Sequence, residues 1–163
     1  MKKARREEFV STRSRVEKLG VKAGADVLLL GIERDAAFVQ ELRAAGARIR
    51  TSGPAPADMI FATFHHRGDL RRLASLVPRI HADGVVWTLR PKGSKDLTES
   101  EMMRAGQAAG LVDVKVVSFS DTLTAEKFVV PLAQRVRHAA ACAEGSGAVS
   151  PKRLRRGGAG GRG

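Results

Sequence analysis

Apolar residues in this chain fall into two patterns that take turns along the sequence. Short unbroken apolar runs alternate with stretches where every third or fourth position is apolar. The first pattern suits strands covered on both faces and the second suits amphipathic helices. The unbroken runs are Ala25–Ile32, Asp58–Phe64 and Val85–Leu89. Between them, Phe38, Val39 and Leu42 mark a helix over 36–45, capped by Asp35 and stopped by Gly46. Leu70, Leu73, Leu76 and Val77 mark another over 67–76. Thr98-x-x-Glu101 is a capping box that opens a helix running to Ala109, closed by Gly110. Ala47–Thr51 alternates and reads as a short second strand near a sheet edge. Val112–Phe119 and Thr124–Val130 read as strands joined by only four residues, 120–123, which permits an antiparallel hairpin and no crossover.

Strand, helix, strand, strand, helix, strand, helix and hairpin together predict an α/β fold. The expected sheet is Rossmann-like, mostly parallel, with a C-terminal antiparallel hairpin and helices on both faces. Three segments follow: a basic arm over 1–18, the α/β domain over 19–133, and a basic Ala/Gly/Arg-rich tail over 134–163 expected to be disordered. A helix to Ala143 is expected at the start of that tail.

Charge sharpens this division. The 163 residues carry a net charge of +12. Residues 1–18 contribute +4, 134–163 contribute +6, and the whole middle only +2. The expected domain is thus nearly balanced, and any nucleic-acid contact is expected through 1–18 and 145–163. Cys142 is the only cysteine, so neither an internal disulfide nor a cysteine zinc cluster can form. No apolar run approaches the roughly 18 residues of a membrane span, and the charged start leads into no signal-peptide core. A cytoplasmic protein without membrane contact is the expectation.

In open α/β sheets, ligands sit beyond the carboxyl ends of the strands. Three loops qualify here if strands one, three and four are neighbours. Gly31 and Glu33 lie in the first, His65 and His66 in the second. Arg90, Lys92, Ser94 and Lys95 lie in the third, which ends at Thr98 and a helix N-terminus. That third cluster predicts an anion site, because cations, hydroxyls and free helical N–H groups converge there. No metal is expected: adjacent histidines in extended chain point to opposite faces, and no further ligand is suitably spaced. Trp87 reads as core, and neither Ser94 nor Ser118 has a nucleophile motif around it.

The segment Lys18-Leu19-Gly20-Val21-Lys22-Ala23-Gly24 before an apolar strand, with the closing hairpin, resembles class I S-adenosylmethionine-dependent methyltransferases. That resemblance implies a glycine-rich G-x-G-x-G turn after strand one and an acid ending strand two that holds the ribose. This chain has Gly31-Ile32-Glu33-Arg34-Asp35 in the first place and Arg50-Thr51 in the second. On that ground no cofactor is expected, and S-adenosylmethionine is disfavoured. Over 12–130 the chain also resembles a bacterial family known only as domain of unknown function three thousand and fifty-two. The resemblance rests on Lys18–Lys22, Trp87–Lys92, Ser94–Glu99, Gly106, Gly110–Val116 and Phe128-Val129.

The expected function is a non-catalytic, methyltransferase-like domain that binds an anionic small molecule or a protein partner at the carboxyl edge of the sheet. One alternative is an RNA- or DNA-associated protein acting through its basic ends. The other is a divergent methyltransferase in which Gly31 serves for the glycine-rich turn.

Overall fold

In the computed structural model, residues 14–147 are described. Six strands form one sheet: β1 (Asp26–Leu30), β2 (Arg48–Arg50), β3 (Ala57–Thr63), β4 (Ile80–Pro91), β5 (Val112–Ser118) and β6 (Leu123–Val129). Their spatial order is β2-β1-β3-β4-β6-β5. The first four are parallel, while β6 runs antiparallel to both β4 and β5. The mostly parallel Rossmann-like sheet with a closing hairpin is therefore present. The continuous apolar runs became its central strands because both faces of β1, β3 and β4 are covered.

Five α-helices accompany the sheet among the described residues: α1 (Arg15–Lys18), α2 (Ala36–Ala44), α3 (Arg72–Leu76), α4 (Glu99–Ala108) and α5 (Arg135–Gly147). Side-chain alternation along the strands splits the core in two. One cluster joins Leu28, Ile60, Val86 and Phe128 to Leu73 and Leu76 of α3 and Met102 of α4. The other joins Leu29, Phe61, Trp87 and Ala125 to Phe38 and Leu42 of α2 and to Val16 and Leu19. Trp87 is fully buried, stacks on Phe61, and donates its indole N–H to the Leu19 carbonyl at 3.2 Å. Arg15 stays over the rings of Phe38 and Phe119 while bonding Glu41 through two nitrogens, at 2.9 and 2.8 Å. A cation on an aromatic face with a carboxylate partner anchors so short a helix.

Several elements differ from the sequence expectation. The fourth strand starts at Ile80 rather than Val85, because Ile80 pairs with Ala57 before a bulge carries the register to Met59↔Val85. Gly84 is needed there: a Cβ would lie 3.0 Å from the carbonyl oxygens of both Asp58 and His81. The helix expected over 67–76 opens as a 3-10 turn, Arg67–Arg71, and becomes α-helical only as α3. The helix expected to Ala143 at the start of the tail runs on to Gly147. Its His138 meets the Ile80 carbonyl at 2.7 Å, which ties α5 to the first residue of β4. Strand β5 is the outer edge, with a bulge between Asp113 and Lys115 and three half-exposed valines, Val112, Val114 and Val116. Residues 1–13 and 148–163 lie outside the described residues, and with them most of the basic arm and tail. Among the described residues, no helix is long and apolar enough to cross a membrane.

Candidate functional site

Because β1, β3 and β4 are consecutive and parallel, the loops after them share one edge of the sheet. The first loop leaves β1 through Gly31, whose φ of 96° is a conformation that side chains resist. A Cβ at this position would also collide with the Thr63 hydroxyl at the end of β3. Glycine is thus required for the two strand ends to approach. Two residues on, the Glu33 carboxylate accepts the Gly31 N–H at 2.6 Å, and both residues are exposed. Asp35 caps α2 by accepting the Phe38 N–H at 3.0 Å.

The second loop follows β3. His65 and His66 are both exposed, and their backbone N–H groups converge on one oxygen of Asp69, at 2.9 and 3.1 Å. Those two bonds hold the Asp69 carboxyl below its ordinary value, with Arg72 and His66 adding to the effect. The rings lie 6.4 Å apart and tilted. Among the described residues, no group of three His, Cys, Asp or Glu side chains is placed to hold a metal ion.

The third loop separates the residues that the sequence groups together. Arg90 belongs to β4 and is 7% exposed. Its guanidinium is committed to Glu126 of the neighbouring strand, at 2.8 to 3.2 Å. Thr88, in line with both, donates its hydroxyl to the same carboxylate at 3.3 Å. Burial pushes the Glu126 carboxyl above its ordinary value, against the pull of Arg90. Lys92 donates to the Ser118 hydroxyl at 2.7 Å, and its N–H bonds the Thr122 carbonyl at 2.9 Å, tying the loop to the hairpin. Ser94 accepts the Asp96 N–H at 3.2 Å, and Thr98 forms the expected capping box with Glu101. Lys95 is exposed and in no ion pair among the described residues. The cluster therefore offers Lys95 and Lys92 to solvent, with Arg90 turned into the protein.

Sequence reasoning passed over Glu126 and Thr88. The signal was present: Glu126-Lys127 puts two charges inside a strand whose flanks, Ala125 and Phe128, are fully buried. Paired charges there need a partner on the next strand.

Comparison with known proteins places the fold. The chain is similar to an S-adenosylmethionine-dependent methyltransferase from Aquifex aeolicus, with a TM-score of 0.55 and 15% identity, covering 71% of this chain and 87% of that one. It is similar to a TehB-like S-adenosylmethionine-dependent methyltransferase from Corynebacterium glutamicum, with a TM-score of 0.50 and 13% identity, covering 80% and 97%. A third is CalO1, a methyltransferase in calicheamicin biosynthesis solved with S-adenosylhomocysteine bound, with a TM-score of 0.52 and 16% identity; 66% of this chain spans 49% of it. No family model matches the chain, so the resemblance to the domain of unknown function gains no support. No curated protein matches either.

These neighbours correct the expectation that no cofactor is bound and that S-adenosylmethionine is disfavoured. The architecture is one that S-adenosylmethionine-dependent enzymes use, and one neighbour holds the product form of that cofactor. The expectation rested on counting glycines and on finding no acid after β2. There, Arg50 is bonded to Asp26 at 3.1 Å and to loop carbonyls. Glu33, which the sequence already marks in the first loop, sets an exposed carboxylate after β1. The donor set at that loop fits a ribose: a hydroxyl both donates and accepts, so it can bridge the Gly31 N–H and the Glu33 carboxylate that now bond each other.

Proposed function

We propose that this chain is a divergent methyltransferase-fold protein that binds an S-adenosyl nucleoside at the carboxyl edge of β1 and acts on an anionic acceptor. The observation that carries the reading is the exposed Gly31 N–H to Glu33 carboxylate bond at that edge of the sheet. Glu33 accepts from the ribose hydroxyls, and Gly31 lets the backbone come close. S-adenosylmethionine, when bound, supplies a methyl group made transferable by its sulfonium. The anion contact falls to Lys95 and Lys92, with Ser94 and Thr98 adding hydroxyls at the start of α4. Arg90 holds the loop from beneath through Glu126 and does not reach the ligand.

Calorimetry with S-adenosylmethionine and S-adenosylhomocysteine tests this reading. Both should bind the native chain and raise its melting temperature by mass action. Glu33→Gln should weaken binding by about tenfold, the worth of one charge-assisted hydrogen bond. Failure of both nucleosides to bind, or equal binding by Glu33→Gln, would overturn it.

A further inference from the structure

The opposite, amino-terminal edge of the sheet carries a groove of about 340 Å³. Met59 and Val85 give it apolar wall, while Lys22, Lys127, Asp58 and Asp83 bring charge to it. The volume lies within the range of small-molecule sites. It lies at the starts of β3 and of the paired part of β4, so it is separate from the Gly31 and Glu33 edge.

Lys127 is the unusual member. It is half-buried on β6 and sits directly across from Lys115 on β5. Like charges in register on a sheet are destabilising, and opposite charges are the normal solution. Among the described residues neither Lys127 nor Lys22 joins an ion pair; those present are Arg15–Glu41, Arg50–Asp26, Arg67–Glu101 and Arg90–Glu126. Desolvation, with Lys115 behind it, pushes the Lys127 ammonium below its ordinary range. One oxygen of Asp58 already accepts the Asp26 N–H at 2.9 Å. Among the described residues the fold therefore keeps a poorly solvated cation in an open, partly apolar groove, with carboxylates in the lining but none paired to it.

We propose that the groove binds a small organic monoanion, a carboxylate or a phosphate diester, with its charged head on Lys127 and Lys22 and its apolar body on Met59 and Val85. Asp58 and Asp83 in the same lining hold the ligand to a single negative charge, since a polyanion would be repelled by them.

The test is calorimetry on the full chain with isovalerate and with dimethyl phosphate. At least one should bind; isovalerate alone points to a carboxylate source, dimethyl phosphate to a phosphate diester. Lys127→Met should weaken that binding by about tenfold or more and melt no lower than the native chain, since it removes an unpaired charge. Lys22→Gln should weaken binding less, and it keeps the test open if Lys127→Met does not fold. S-adenosylhomocysteine binding should be the same in native and variant chains, which separates this site from the carboxyl edge. Binding of neither anion, or binding unchanged in the variants, would overturn the proposal.

Discussion

Two residues at the carboxyl edge have effects that their chemistry fixes in advance. Arg90 and Glu126 form an ion pair with both members buried. Removing one partner leaves the other charge stranded, so Arg90→Met should cost about 3–5 kcal/mol in denaturant unfolding. Adding Glu126→Leu should recover most of that loss, because two apolar groups then replace two charges. If Arg90 instead served chiefly as an exposed anion ligand, the single change would barely touch stability. Gly31→Ala should cost about 2–5 kcal/mol, combining a strained backbone with a collision against Thr63. Thr63→Ala should relieve the collision alone, so the double variant should be more stable than Gly31→Ala.

At the scale of elements, helix α4 poses a conflict between local preference and packing. Gly106 lies inside it, where alanine would ordinarily stabilise by about 1 kcal/mol. A Cβ here, however, would lie on the ring of Phe128, which is fully buried on β6. Gly106→Ala should therefore destabilise by about 1–3 kcal/mol, opposite in sign to the helix preference. The turn after β3 makes a pH prediction. Asp69 has a carboxyl lowered by the His65 and His66 N–H groups, from an ordinary value of 3.8. A depressed folded-state value stabilises above the unfolded one and is lost as pH falls through the folded one. The melting-temperature gap between native chain and Asp69→Asn should be full at neutral pH and should close as pH drops below 3.8. A gap that stayed constant through that range would mean the carboxylate charge is not what holds the turn.

These elements also show where sequence reading succeeds and where it stops. The buried strands were legible because both faces of β1, β3 and β4 need apolar residues, and an unbroken run has few other uses. The cap at Thr98 was legible because capping is local, settled within four residues. The true start of β4 was not, since Ile80 joins the sheet only by pairing with Ala57, more than twenty positions away. Arg90 was misjudged as loop chemistry for the same reason. Nothing near it in sequence shows that Glu126 would come to lie beside it. The carboxyl edge was legible from topology, whereas the amino-edge groove was not, because Lys22, Asp58, Asp83 and Lys127 come from four separate segments.

On the scale of the whole molecule, the single tryptophan, Trp87, ties the segment after α1 to the core of the sheet. It lies in the core cluster on the α2 side and bonds Leu19 beneath α1, so its emission should report global unfolding. The strand order carries a further consequence for how the chain is made. Strand β6 enters between β4 and β5, although it is the last of the six to be synthesised. Until it emerges from the ribosome, β4 has one bare side, β5 has no neighbour, and Phe128 and Val130 are missing from their core cluster. A nascent chain ending after Ser118 should be cut rapidly by protease, and one extended past Val130 should resist. The sheet is thus closed in a single late step, and until then the growing chain exposes the interior edge that folding will hide.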